Sequence, residues 1–223
     1  MTTHQERLQK FIEEVTLYPV SCEKLALGRS DRQWLEAVLA AGVKIVQLRD
    51  KEADGRTLLG KAKMFRELTR AAGALFIVND RLDVALLSEA DGIHLGNDDL
   101  PCEEVRRYAP DLIIGVSCNR EEEAATAEAR GASYYNIGPL FPTGTKEEAR
   151  EVLGIEAIAR FSRHSQLPIT VMGGIKKHHL PELMAAGVKR PAVVTALTQA
   201  ADITAETKKW LEKLQQHRAL PRP

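Results

Sequence analysis

Short apolar runs rich in β-branched residues recur along this chain, and between them lie longer stretches in which apolar positions fall three and four apart. The short runs are LYPVS from 17, KIVQL from 44, ALFIV from 74, GIHL from 92, LIIGVS from 112, YYNIG from 134, PITVM from 168 and AVVT from 192. The longer stretches include RQWLEAVLAAG, GRTLLGKAKMFRELTRAAG, GIEAIARFSRH and ITAETKKWLEKLQQ. The first pattern predicts buried parallel strands and the second amphipathic helices. Gly42, Gly73, Gly131 and Gly187 close several of the helical stretches, as left-handed C-terminal caps do. Eight such units predict an α/β protein, a (β/α)8 TIM barrel, with a doubly wound open sheet as the alternative. One domain is expected over residues 1–223, with an extra N-terminal helix over 1–14 and a frayed tail over 218–223.

Composition narrows the function classes. Lys plus Arg and Asp plus Glu number 31 each, so the formal net charge is zero and neither a nucleic-acid footprint nor a polybasic membrane face is indicated. Any anion binding must be local. Three scattered cysteines, Cys22, Cys102 and Cys118, fit unpaired thiols in a reducing compartment, and no apolar run is long enough to span a membrane. A cytoplasmic protein is expected, with a homo-oligomer left open.

In a barrel of this kind, chemistry gathers where the strands end. Gln47, Arg49 and Lys51 alternate after KIV and should face the mouth together, where Arg grips phosphoryl oxygens, Lys adds a point charge and Gln reads a heteroaromatic edge. Asp80 and Asp99 follow neighbouring strands and could meet at one ion, for which Mg²⁺ is the natural candidate, although both also suit helix capping. GPLFPTGTK, residues 138–146, reads either as a surface turn or as an anion seat built from glycine backbone, hydroxyls and one ammonium. Met172-Gly173-Gly174 and Val194-Thr195 close the last two strands, where such barrels often hold phosphate. His94 reads as a hydrogen-bonded strand histidine more readily than as a base, His178-His179 lacks zinc-ligand spacing, and Cys118 lacks an activating base.

Taken in order over residues 17–200, QLRDK, IVNDR, DGIHLGNDD, GVS, GPLFPTGTK and MGGI resemble the thiamine phosphate synthase family. The resemblance implies a transferase that joins 4-amino-2-methyl-5-hydroxymethylpyrimidine diphosphate to 4-methyl-5-(2-phosphooxyethyl)thiazole and releases pyrophosphate. It implies that Gln47 and Asn79 contact the pyrimidine, that Arg49, Lys51, Ser117 and Lys146 hold its diphosphate, and that Asp80 and Asp99 ligate Mg²⁺. Thr143, Thr145, Gly174, Val194 and Thr195 would seat the thiazole phosphate. The partners implied are thus two small phosphorylated heterocycles, with no nucleic acid and no membrane.

Three positions depart from the family pattern. Cys22 stands in place of a common acidic residue, Asn119 in place of a frequent histidine, and Lys189-Arg190-Pro191 in place of an Ala-Asp-Gly-like start to strand eight. Arg190 should lie at the bottom of that strand and be structural, with a modest effect on stability; the rival expectation is a displaced strand eight. A thiazole tautomerase-like enzyme and a non-catalytic barrel that binds phosphate ligands are the alternatives, and retention of Asp80, Asp99 and Lys146 argues against both.

Overall fold

A computed structural model describes residues 3–144 and 151–219, with side chains to residue 216. The N-terminal helix α1 (His4–Glu14) precedes β1 (Tyr18–Pro19), α2 (Asp31–Ala40), β2 (Ile45–Leu48), α3 (Gly55–Ala71), β3 (Leu75–Asn79), α4 (Leu82–Leu87) and β4 (Gly92–Leu95). The chain continues through α5 (Cys102–Tyr108), β5 (Ile113–Cys118), α6 (Glu121–Ala127), β6 (Tyr134–Ile137), α7 (Glu156–Ser162) and β7 (Ile169–Val171). It ends with α8 (Leu180–Ala185), β8 (Ala192–Val193), α9 (Thr195–Thr198) and α10 (Ile203–Ala219). Every apolar run expected as a strand contributes one. The helix α10 reaches Arg218 and Ala219, two residues into the expected frayed tail; the remainder lies outside the described residues.

Strands β2 to β7 form one parallel sheet in sequence order, and β1 pairs in parallel with β8. Single bridges, Val20 with Gln47 and Val171 with Pro191, join this pair to the sheet on both sides. The ring therefore closes, which excludes the open doubly wound sheet. Gly42, Gly73, Gly131 and Gly187 all have positive φ at the helix ends, the conformation that a Cβ disfavours.

Strict alternation sorts the strand residues into two cores. Val46, Leu48, Phe76, Val78, Ile114 and Tyr135 point outward against the helices. Ile45, Leu75, Ile77, Ile113 and Tyr134 fill the barrel interior, together with Phe11 and Val15 from the α1 segment. The inward phase continues upward into polar residues: Gln47, Asn79, His94, Ser117, Asn136 and Thr170. Gly115 is inward too, and a Cβ there would lie 2.1 Å from Tyr134 Cζ, so the glycine makes room for the tyrosine ring.

The helix α1 starts with a Thr3–Glu6 capping box and plugs the lower end of the barrel. Its last carbonyls have no partner within the helix. Arg190 supplies one: Nε donates to Phe11 O at 3.0 Å, Nη2 donates to Ile12 O, and the guanidinium lies 5.0 Å from the Phe11 ring centre. Strand β8 keeps its register with β1, Tyr18 opposite Ala192, so Lys189-Arg190-Pro191 has not displaced it. Arg190 is structural, as expected, but it is buried and bonded to a helix terminus, so the modest effect expected from sequence is too small.

A second, half-buried charge supports the loop after β2. Lys61 on α3 donates to Glu23 and to Asp50 Oδ2 at 2.7 Å, and its ammonium lies 2.9 Å from Asp31 Oδ2. Burial raises the pKa of Asp31, with Lys61 opposing; Asp50 is lowered because its bonds to Lys61 and to backbone amides outweigh its own burial.

Two outcomes are expected. Arg190→Gly leaves two helix carbonyls without their charged donor and should cost about 3 kcal/mol or more, a fall of roughly 6–12 °C in melting temperature for a chain of this size. Lys61→Met strands Asp31 and should cost about 3–5 kcal/mol at neutral pH. A carboxyl whose folded pKa is raised binds protons more readily folded than unfolded, so its penalty is relieved as pH falls through that raised pKa. The deficit of Lys61→Met relative to the parent protein, followed by urea unfolding, should therefore narrow from pH 7 towards about pH 4.

Candidate active site

A cavity of about 270 Å³ opens at the C-terminal ends of the strands. Arg49 after β2, Ser117 on β5 and Asn136 on β6 line it, facing Gly173-Gly174 after β7 and Val194-Thr195 after β8. Thr143 and Pro139 complete its rim. The backbone of Arg49 is held by its amide donating to Ser21 Oγ at 3.0 Å. The cavity thus sets a guanidinium and a hydroxyl opposite backbone that approaches closely, a combination suited to phosphoryl oxygens.

Beside it stands an acid pair. Asp80 has a left-handed backbone, φ 64°, fixed by its amide donating to His94 O at 2.8 Å. Its carboxylate lies 3.1 Å from Lys51 Nζ. Asp99 accepts from Gly96 N at 2.7 Å and stands next to Asp80. Burial first and Asp99 second raise the pKa of Asp80, against the pull of Lys51. Two carboxylates this close compete for one proton or one cation, and their hard oxygens fit a divalent ion such as Mg²⁺.

The segment from Gly138 is fastened to the end of β7. Leu140 N donates to Met172 O at 2.9 Å and Phe141 N to Gly173 O at 3.1 Å. Gly173 and Gly174 have φ of 97° and 62°, and a Cβ on either would come within 2.4 Å of this segment, at Pro139 and Pro142. The two glycines serve this contact as much as any ligand.

Among the residues expected from sequence, Arg49, Ser117, Thr143, Gly174, Val194 and Thr195 share the cavity wall, and Lys51, Asp80 and Asp99 meet beside it. Gln47 sits deeper, buried in the barrel with Nε2 donating to Tyr18 Oη at 2.9 Å. Asn79 ends β3 in register with His94. Thr145 and Lys146 lie outside the described residues.

Other readings are resolved by contacts. Cys118 is buried with its pKa pushed up to about 12, far from a nucleophile, and all three cysteines are free thiols. His179 stacks on Phe141 at 3.7 Å between ring centres. Asn119, at a departure from the family pattern, donates to Gly138 O and accepts from Asn97 Nδ2 at 3.2 Å, tying three loops of the mouth together.

Sequence reasoning missed Asn136 and the two tyrosines beneath the cavity. Asn136 had a signal: it is the polar residue in YYNI, in phase with Tyr134, and it accepts from Thr170 Oγ1 at 2.9 Å. Tyr18 and Tyr134 had none beyond aromatic strand propensity.

Comparison with known proteins agrees with this geometry. The sequence profile described as thiamine monophosphate synthase matches residues 17–197. The chain is 41% identical over 203 residues to a thiamine-phosphate synthase from Methanocella arvoryzae, covering 91% of this chain and 96% of the relative. It is 39% identical over 196 residues to one from Pelotomaculum thermopropionicum, covering 87% and 90%. Its fold matches the solved structure of thiamine phosphate pyrophosphorylase from Pyrococcus furiosus, with a TM-score of 0.84 and 34% identity over 92% of this chain and 97% of that one. Tryptophan synthase α-subunit, at 19% identity and a TM-score of 0.65, shares the fold alone. With its barrel, its cavity and its acid pair, the chain belongs to the thiamine monophosphate synthase family.

Proposed function

We propose that this protein is a thiamine phosphate synthase that joins the pyrimidine diphosphate and the thiazole phosphate named above, with release of pyrophosphate. The observation that carries this reading is the cavity in which Arg49 and Ser117 face Gly174, Val194 and Thr195, beside the Lys51–Asp80–Asp99 cluster. One wall suits a diphosphate and the opposite wall a monophosphate.

The reaction breaks the bond between the pyrimidine methylene carbon and a diphosphate oxygen, and the electron pair leaves with pyrophosphate. The pyrimidine ring stabilises the resulting cation, and the thiazole nitrogen lone pair forms the new bond. No base has to deprotonate that nitrogen, which accords with the lack of an activated nucleophile among the described residues of the site. Arg49 and Lys51 would neutralise the departing charge, Ser117 would donate to a phosphoryl oxygen, and Asn79 would orient the pyrimidine, with Gln47 supporting this end of the cavity from beneath its wall. Lys146 and Thr145 would complete the two seats, as the family resemblance implies. Mg²⁺, held by Asp80 and Asp99, would supply further positive charge to the leaving group.

Free buried thiols suit a reducing compartment, which supports a cytoplasmic enzyme; separately, no helix among the described residues is long and apolar enough to cross a membrane.

Purified protein should release pyrophosphate only when both substrates and Mg²⁺ are present. Asp80→Ala and Asp99→Ala should each lower turnover on the order of 10²-fold or more while the chain stays folded by circular dichroism. Full activity in excess chelator would overturn the role of the metal. Tight binding of a phosphorylated thiazole without any pyrophosphate release would favour the non-catalytic barrel.

A further inference from the structure

Beneath the cavity, five side chains from five different strands form a hydrogen-bonded row through the barrel. Gln47 Nε2 donates to Tyr18 Oη at 2.9 Å, and the Tyr18 and Tyr134 hydroxyls lie 2.9 Å apart. Tyr134 Oη lies 3.2 Å from His94 Nδ1, and His94 Nε2 lies 3.1 Å from Ser117 Oγ. The first four residues are buried, and Ser117 alone reaches the cavity wall.

Each hydroxyl in such a row has one proton to give, so the direction of the first bond sets the rest. The Gln47 amide is the donor at one end. Tyr18 then accepts from Gln47 and donates to Tyr134, and Tyr134 donates to His94 Nδ1. That nitrogen must be unprotonated, which leaves the ring proton on Nε2, facing Ser117 Oγ. Ser117 accepts it and keeps its own proton free. In the opposite direction Ser117 would spend that proton on His94 Nε2 and turn only lone pairs towards a cavity that also holds Arg49.

We propose that Tyr18, Tyr134 and His94 are positioning residues that hold His94 as the neutral Nε2–H tautomer, so that the Ser117 hydroxyl points its proton at an anionic oxygen in the cavity. The value of this arrangement to the enzyme rests on the function proposed above; the tautomer itself does not. Burial raises the pKa of both tyrosines, which keeps each hydroxyl able to donate. Phe11 stacks on Tyr134 at 4.6 Å between ring centres and holds the middle of the row in place.

The test begins with ¹⁵N NMR of the unliganded protein with labelled histidine rings at neutral pH, with the His94 signals assigned from His94→Gln. The expected result is a pyrrole-like Nε2 and a pyridine-like Nδ1. The reverse pattern, or a doubly protonated ring, would overturn the proposal whether or not the protein makes thiamine phosphate. The second part measures the affinity for inorganic pyrophosphate with Mg²⁺. Tyr134→Phe should weaken it roughly fivefold, the scale of one misdirected hydrogen bond, and Ser117→Ala by a similar factor. In the Ser117→Ala background, Tyr134→Phe should have no further effect, because it acts through Ser117. Additive losses would show a general structural role and refute the row as a positioning device. If Tyr134→Phe does not fold, the tautomer in the parent protein still decides.

Discussion

The ring of strands is thinnest where its two ends meet. Strands β1 and β8 pair over two residues, and single bridges join them to their neighbours, so backbone hydrogen bonds alone hold that quarter of the barrel weakly. Side chains on the barrel axis supply what the ladder lacks. Tyr134 is the centre of this packing: its ring stacks on Phe11 from the helix plug, fits against the bare backbone of Gly115, and its hydroxyl bonds to Tyr18 on β1 and His94 on β4. An aromatic stack of this kind contributes about 0.5–1.5 kcal/mol beyond the area it buries. The bonds to Tyr18 and His94 connect the weak closure to the well-paired side of the sheet. Loss of the Tyr134 ring, as opposed to its hydroxyl, would loosen the interior and the floor of the cavity together.

That single constraint also explains the layering of the site. Inward positions are apolar at the bottom of the barrel and polar at the top, and Tyr134 stands at the boundary with an apolar ring below and a hydroxyl above. The polar layer is buried, so its groups must be satisfied by one another, and a set of mutually satisfied groups has few alternative arrangements. Above it, charge is concentrated in two local clusters, although the chain as a whole is neutral. Arg49 and Lys51 sit on one loop, whose base is fixed by Lys61 among three carboxylates. Rigid support of this kind lets a site present cations to a ligand without reorganisation.

Much of the fold was legible because each strand is short, apolar and bounded by glycine or a polar cap, and because alternation leaves little freedom in facing. The candidate site was legible where a polar residue interrupts that pattern, as Gln47 does in KIVQL and Ser117 in LIIGVS, whereas His94 in GIHL reads from sequence as a structural histidine. Tyr18 and Tyr134 were not, since tyrosine in a strand is unremarkable until the register shows which hydroxyls meet. Asn136 lay between these cases. Closure at β1 and β8 was equally hidden, as it depends on pairing between residues 18 and 192, which no local pattern encodes.

The departures from the family pattern need the same treatment. Asn119 lacks the charge that a histidine can carry, yet its amide both donates and accepts, and that is what joins Gly138 to Asn97. At 190 a glycine would give only space, whereas the arginine reaches the carbonyls at the end of α1. That helix covers residues 4–14, ahead of residues 17–197, which the family profile matches. The partner of Arg190 therefore lies outside the profile match. A succession of contacts nevertheless leads from it to the site: Arg190 lies over Phe11, Phe11 packs on Tyr134, and Tyr134 carries the bonds that lead to Ser117.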